Sequence, residues 1–202
     1  MVADIIRLNG DYQIVGFLDD VTPNVQNAER HGATVLGGWE CLDSLKREGV
    51  SHIIFGLGQS AARLGLSESA RARGFSLATA IHPRAIVATD ASIGAGTVIV
   101  AGAVINPGVT IGENVIVNTS ASVDHDCCVD DGAHVGPGAR LAGRVVVERA
   151  AWVGVGAVVI EGVRIGANSL IGAGGVVVND IPDGVVAYGN PVRVVKKVGI
   201  VD

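Results

Sequence analysis

The chain has 202 residues, 49% of them hydrophobic, and carries 15 Lys and Arg against 20 Asp and Glu, a net charge of -5. This length accommodates one domain or a large and a small one, and the acidic balance without an extended basic run argues against nucleic acid as a partner. The longest nearly uninterrupted apolar run, residues 150–160, is far shorter than the roughly 18 residues that cross a bilayer, so we expect no membrane span.

The composition indicates a core packed by small aliphatic side chains, because aromatic residues make up only 3% of the chain while glycines number 29. The amphipathic opening soon reaches Asp4 and Arg7, unlike a secretory signal, so a cytoplasmic location is expected. The three cysteines, two of them adjacent at Cys127 and Cys128, do not have the number or spacing of a disulfide framework or a zinc site. We therefore expect reduced thiols and no metal.

The first eighty-five residues alternate helical and extended patterns. In chain order the patterns predict a helix over 3–8, a strand over 13–18, helices over 41–48 and 61–73 separated by a strand over 52–55, and a strand over 75–81. Strands alternating with helices predict a small parallel α/β domain. Its boundary near His82 and Pro83 divides the chain into domains 1–82 and 83–202.

Two of these predicted strands end in residues suited to a ligand. Asp19 and Asp20 close one strand, and Gly56 and Gly58 follow another. Because ligands of open parallel sheets lie beyond the carboxyl ends of the strands, the carboxylates are candidates for a ribose or base and the glycines for a phosphate. The alternative is that the aspartates begin a solvated turn and the glycines relieve crowding.

From residue 86 to 181 the chain obeys a period of six. Every sixth position from 87 to 177 is aliphatic, and the position four further on is mostly small or β-branched. A period of six matches neither the 3.6-residue turn of an α-helix nor the seven-residue repeat of a coiled coil. The pattern therefore predicts short parallel strands that coil into a prism of about five turns, with three hexads per turn. We expect the residue after each aliphatic, such as Gly94 or Gly112, to adopt the left-handed backbone of a turn. The general preference for right-handed crossovers argues for a right-handed coil.

Two histidines lie in the repeat region. On the six-residue grid His125 falls at a corner, where side chains point outward, and neutral imidazole accepts protons near neutral pH. Asp126 or Asp124 is placed to orient the ring, as a carboxylate does in a catalytic triad. The alternative is an exposed corner histidine with incidental acidic neighbours, and for Asp124 a turn-forming role is favoured.

The second histidine, His134, precedes an inward aliphatic, and Trp152 follows one 18-residue coil later. The plain interpretation is a partly exposed strand residue stacked on an indole. Cys127 is not interpreted as an acyl-enzyme nucleophile, because it occupies an inward small-residue position and no histidine spacing marks either neighbouring thiol as activated.

The hexapeptide pattern and the segment Phe17-Leu18-Asp19-Asp20 resemble the sugar acetyltransferases related to sialic acid O-acetyltransferase and to the enzyme that acetylates UDP-4-amino-4,6-dideoxy sugars. The resemblance covers the whole chain. It implies a left-handed parallel β-helix after a Rossmann-like α/β domain that binds the sugar nucleotide. The strand and Gly-rich loop that open the family's domain have no counterpart before Val2, so we expect a domain without its first strand, with neighbouring backbone groups left unpaired.

The resemblance also implies roles for individual residues. It makes His125 and Asp126 catalytic, although the family usually has Glu at the second position, and gives the Gly143 N–H an oxyanion role. Substrate would be bound by Asp19, Asp20, Gly58 and Asn118. Acetyl-CoA would be contacted by His134, Gly143, Val155, Ala173 and Pro191, with Arg193, Lys196 and Lys197 either near its phosphates or in a solvated tail. The family is trimeric, which implies a homotrimer with active sites between subunits.

The leading hypothesis is an acetyl-CoA-dependent N-acetyltransferase that transfers acetyl directly to the amine of a nucleotide-linked amino sugar, with His125 as general base. One rival is O-acetylation of a sugar hydroxyl, as in sialic acid O-acetylation. A second is a metal-dependent β-helix hydratase of the γ-carbonic-anhydrase type, which needs three histidines where the repeat has two. The last is a non-catalytic scaffold.

Overall fold

The computed structural model describes residues 1–22 and 24–199. Its N-terminal α/β domain is built from α1 (Val2–Asn9), β1 (Phe17–Leu18), β2 (Glu29–Arg30), β3 (Ala33–Gly37), a 3-10 turn (Trp39–Cys41), α2 (Leu42–Arg47), β4 (His52–Ile53), α3 (Ser60–Ala72) and β5 (Ser76–Leu77). The helices agree with their predicted bounds to within one residue, because their apolar residues recur at helical spacing.

The strands of this domain are shorter than predicted and form two separate sheets. β1 pairs in parallel with β3, which also pairs antiparallel with β2 in a hairpin that sequence reasoning missed, and β4 pairs in parallel with β5. The predicted strands over 13–18 and 52–55 reach a partner only at β1 and β4. Extended backbone forms a β-strand only where a neighbouring strand completes its hydrogen bonds. Within the described residues no strand joins β1 to β4.

The hexad region is a parallel β-helix with three faces. The first face contains β6 (Ala80–Ile81), β9 (Val98–Ile99), β12 (Ile116–Val117), β15 (His134–Val135), β18 (Trp152–Val153), β21 (Leu170–Ile171) and the antiparallel hairpin β23 (Val185–Gly189) and β24 (Val192–Lys197). The second face contains β7 (Ile86–Val87), β10 (Val104–Ile105), β13 (Ser122–Val123), β16 (Arg140–Leu141), β19 (Val158–Val159) and β22 (Val176–Val177). The third face contains β8 (Ser92–Ile93), β11 (Thr110–Ile111), β14 (Cys128–Val129), β17 (Val146–Val147) and β20 (Arg164–Ile165).

The repeat sets both the register and the core of this coil. Strands pair with those 18 residues later, as Ile105 does with Val123, so the predicted three hexads per turn are confirmed. The predicted inward aliphatics all belong to one core cluster, in which only Val87 and Ile93 are partly exposed. The narrow interior therefore follows directly from the six-residue spacing.

The predicted position of the left-handed turn residue is wrong. Gly94 does not have a positive φ, whereas Gly96, two residues further on, has φ +78°. A Cβ at Gly94 would instead lie 2.5 Å from the backbone of Gly112 in the next coil. Where a glycine follows an inward aliphatic, as at Gly94, it thus permits close approach of successive coils, and the residue two positions later makes the turn.

The α/β domain packs against the first face of the β-helix. Ile5 and Ile6 of α1 share a buried cluster with Ala80, Val98 and Ile116. The predicted strand over 75–81 is accordingly two strands, β5 in the α/β domain and β6 at the start of the first face. Among the residues described, no helix combines the length and apolar character that a bilayer crossing requires.

Candidate active site

His125 lies on the vertex between the second and third faces, in the corner that joins β13 to β14. Its side chain is 47% exposed, as the hexad grid predicts for a corner residue. Asp124 stabilises this corner, because its Oδ1 accepts hydrogen bonds from the His125 backbone N–H at 2.8 Å and from Asn106 Nδ2 at 2.7 Å. Asp124 therefore has the turn-forming role favoured from the sequence.

Asp126 holds the His125 ring in one orientation. The Asp126 backbone is left-handed, with φ 59°, and this turns its carboxylate toward the imidazole. His125 Nδ1 donates to Asp126 Oδ2 at 2.9 Å, which leaves Nε2 as the basic nitrogen of the neutral ring. This hydrogen bond, with the negative charges of Asp124 and Asp126, raises the pKa of His125 above its usual value.

Gly143 lies beside this ring, one coil further along the same vertex. A Cβ at Gly143 would stand 2.6 Å from both Cε1 and Nε2 of His125, so the imidazole occupies the space that a side chain would need. Within the described residues the backbone N–H of Gly143 donates no backbone hydrogen bond, unlike that of Arg144, which donates to the His125 carbonyl. A free N–H next to an imidazole is a usable oxyanion donor.

His134 and Asn118 form a second polar group on and beside the first face. Asn118 Nδ2 lies 3.1 Å from His134 Nε2, and the His134 ring stacks on Trp152 with centroids 4.3 Å apart. The interpretation of His134 as a strand residue stacked on an indole is therefore correct, although the histidine is buried. Burial and the Arg63 guanidinium lower the pKa of His134 to about 4, so the ring is neutral near pH 7.

The two polar groups lie on different sides of one chain. His125 and Gly143 are at the vertex opposite the first face, whereas His134 is on that face and Asn118 is at the edge between the first and second faces. Exposed Val155 and Ala173 share the Asn118 edge, and exposed Pro191 lies in the turn between β23 and β24. One chain therefore does not bring its two histidines together.

Asp19 and Asp20 line a pocket of about 320 Å³ with Gly38 and Glu40. Asp19 accepts from the backbone N–H groups of Val21 and Thr22, from the Thr22 hydroxyl and from Arg30. The hydrogen bonds with Thr22 are the main reason that the pKa of Asp19 is lowered. The Asp19 carboxylate is therefore fully engaged in a turn. Asp20 Oδ1 accepts the backbone N–H of Trp39 at 2.8 Å, and within residues 1–22 and 24–199 Asp20 Oδ2 accepts no hydrogen bond.

Gly58 reaches the β-helix near His134, since a Cβ there would lie 3.6 Å from Trp152. The residue that holds this loop, Arg63, was missed from the sequence. Its guanidinium is fully buried and donates to backbone carbonyls of the loop and of the β-helix. The available signal was a charged side chain among the small residues of the buried face of α3, where Ser60, Ser67 and Ala70 also lie.

The cysteines show no sign of activation. Burial raises the pKa of the Cys127 thiol to about 11, and Cys127 donates to the Ala142 carbonyl. Burial also raises the pKa of Cys128. Over residues 1–22 and 24–199, no three His, Cys, Asp or Glu side chains cluster as metal ligands.

Comparisons with known proteins agree on one family. The family model described as the PglD N-terminal domain matches residues 1–70, and no match is found among curated protein sequences. The crystal structure of PerB from Caulobacter crescentus, in complex with CoA and GDP-perosamine, is 40% identical, with a TM-score of 0.90 over 96% of this chain and 90% of that chain. The acetyltransferase domain of PglB from Neisseria gonorrhoeae, in complex with acetyl coenzyme A, is 39% identical, with a TM-score of 0.89 over 96% of this chain and 92% of that chain. The predicted α/β domain followed by a left-handed β-helix is thereby confirmed.

Proposed function

Because this chain belongs to the family of PglD-like sugar acetyltransferases, we propose that it transfers the acetyl group of acetyl-CoA to the amino group of a nucleotide-linked amino sugar. The observation that carries the proposal is the His125–Asp126 pair on an exposed vertex beside Gly143, in a chain 40% identical to PerB. GDP-perosamine is the first acceptor to test, since PerB is described in complex with it.

His125 is the general base of the proposed reaction. Neutral Nε2 removes a proton as the sugar amine attacks the thioester carbonyl, and Asp126 stabilises the imidazolium that results. Electrons pass from the amine nitrogen to the carbonyl carbon, and the tetrahedral intermediate expels CoA as its thiol after protonation. The raised pKa of His125 makes its neutral ring a stronger base toward the proton of the amine.

The Gly143 N–H is the oxyanion donor. It is free of other backbone hydrogen bonds in the described part of the chain and lies next to the His125 ring, where the thioester carbonyl must be during attack. Transfer is direct, because neither cysteine of the Cys127–Cys128 pair is activated as an acyl acceptor.

The complete site lies between two subunits of a homotrimer. In one copy His125 and Gly143 are on the vertex opposite the face that carries His134, so only the vertex of a neighbouring copy can approach His134 and Asn118. The exposed edge with Val155 and Ala173, and Pro191 beyond it, would then accommodate the pantetheine arm and adenine of acetyl-CoA. Prisms with flat faces pack around a threefold axis, which would bring the vertex of each copy against the adjacent edge of the next.

The α/β domain supplies the sugar-nucleotide site. The pocket with Asp20 and the loop ending at Gly58 lie at the carboxyl ends of β1 and β4, and the loop leads to His134. The enzyme is assigned to the cytoplasm, where acetyl-CoA is made available and where its free cysteines Cys41, Cys127 and Cys128 stay reduced.

A thiol-release assay tests the proposal. Purified protein is given acetyl-CoA with GDP-, UDP- and dTDP-linked amino sugars, and with the matching hydroxyl sugars, alongside His125→Ala. We expect release only with amino acceptors and a loss of about 10²–10⁴-fold in kcat for the variant. Transfer to a hydroxyl sugar would favour O-acetylation, and no turnover with any acceptor would favour a scaffold.

A further inference from the structure

Arg63 is a buried cation with no carboxylate partner in the described part of the chain. It is 0% exposed, and its guanidinium donates through Nε to Asn114 O at 2.8 Å, through Nη1 to Leu57 O at 2.8 Å and Gly58 O at 2.9 Å, and through Nη2 to Gly132 O at 2.8 Å. A buried charge is tolerated when it is fully hydrogen bonded, and backbone carbonyls supply that here.

These carbonyls come from segments that are far apart in sequence. Leu57 and Gly58 form the loop after β4, Asn114 lies in the corner before β12, and Gly132 lies two residues before His134. A planar guanidinium fixes the directions of its donors, so it fixes the loop relative to the coil, which a flexible ammonium does not do.

The charge also acts on His134. The Arg63 guanidinium, together with burial, holds the pKa of His134 well below its usual value. In the neutral ring Nε2 accepts from Asn118 Nδ2, and the geometry of this pair depends on that protonation state.

We propose that Arg63 is a positioning residue that locks the sugar-nucleotide loop at Leu57–Gly58 to the coil carrying His134. The proposal rests on the proposed function, because the loop and His134 are assigned there to the acceptor and to the acetyl donor. On this proposal Arg63 fixes the position of the loop that binds the nucleotide sugar relative to His134, which contacts the acetyl donor.

The test compares Arg63→Lys with Arg71→Lys in the full-length protein. Arg71 lies two turns further along α3 and forms an exposed ion pair with Glu113, next to Asn114, so it crosses the same interface without touching the loop. We expect Arg63→Lys to raise the KM for the nucleotide sugar about tenfold with a smaller change in kcat, and Arg71→Lys to leave KM within about twofold. Equal KM values in the two variants would overturn the proposal.

A second measurement does not depend on turnover. Amide hydrogen exchange without ligand is expected to be faster in Arg63→Lys than in wild type at residues 57–59 and 132–134, and unchanged there in Arg71→Lys. The substitution Arg63→Met is expected to raise the pKa of His134 from about 4 toward the usual 6.5, which NMR titration of the ring would measure. Unchanged amide hydrogen exchange in Arg63→Lys would contradict the positioning role of Arg63 even if the wild-type protein acetylated an amino sugar. Wild-type inactivity with the expected exchange pattern would instead count against the proposed function alone.

Discussion

At the scale of single residues, the structure shifts the pKa values of two histidines in opposite directions. His125 is exposed and its pKa is raised by Asp126, whereas His134 is buried and its pKa is lowered to about 4. In the proposed mechanism the His125 ring takes the proton of the amine, whereas the His134 ring stays neutral near pH 7. The same residue type serves two purposes because one lies at a corner and the other lies beneath a covering domain.

Asp126→Asn tests the link between Asp126 and the base. Asparagine tolerates the left-handed backbone at this position, so the corner is retained. Because the proposed mechanism requires neutral His125, activity should fall as the pH drops through the His125 pKa. Removal of the carboxylate charge lowers that pKa. We expect the acidic limb of the kcat/KM profile to move to lower pH and the plateau to fall about tenfold. A limb that stays in place would show that Asp126 does not control the base.

Gly143→Ala tests the space beside the ring. The new Cβ would lie 2.6 Å from His125 Nε2, so the imidazole must turn away while the backbone N–H at 143 is retained. We expect kcat to fall about tenfold to a hundredfold with little change in the midpoint of thermal unfolding. Unaltered kcat would mean that the ring position is not critical.

At the scale of elements, helix α3 joins the two halves of the molecule through one face. Ser60, Arg63, Ser67 and Ala70 are buried along it, while Gly65 is exposed on the opposite side. The buried side is unusually polar for a core-facing helix, because Arg63 on this side hydrogen bonds to the buried backbone carbonyls of Asn114 and Gly132 at corners of the β-helix.

Gly65→Ala separates the stability of α3 from its contacts. A Cβ at Gly65 meets no atom within 4 Å, and alanine is favoured over glycine inside a helix. We expect the free energy of unfolding in urea to rise by about 0.5–1 kcal/mol with kcat unchanged. The variant also serves as the matched control for Gly143→Ala, and a loss of activity would indicate that the helix must flex during turnover.

At the scale of the whole molecule, the separation of His125 from His134 within one chain leads to the proposal that the active site forms between two subunits. Two inactive variants, His125→Ala and His134→Ala, should therefore rescue each other when co-expressed. In randomly mixed trimers each mixed assembly has one interface with both histidines intact, so about a quarter of wild-type activity should return. Sedimentation should show trimers throughout.

The absence of rescue in mixed trimers would contradict a site between subunits. Each chain lacks one of the two histidines, so a site within one chain would remain inactive in every mixture. Co-expression of wild type with a chain bearing both substitutions controls for simple dilution. In that mixture activity should fall in proportion to the interfaces lost rather than be restored.

The six-residue period determined the β-helix by itself. Its aliphatics face inward because a coil of 18 residues repeats each side chain at the same place, so register, core and the exposed corner of His125 all follow from local spacing. Helices of the α/β domain were equally predictable from their own periodicity. Pairing of His125 with Asp126 was within reach because the two residues are adjacent in the chain.

Contacts between distant segments were decided only by the tertiary structure. The strands over 13–18 and 52–55 shortened because strand length depends on a partner elsewhere in the chain. Glycines that follow an inward aliphatic, such as Gly94 and Gly136, proved to be sites of close approach between coils, which no single hexad reveals. The hydrogen bonds of Arg63 to the carbonyls of Asn114 and Gly132 and its effect on His134 join residues 51 to 71 positions apart. Desolvation is a property of the packed interface rather than of any local pattern.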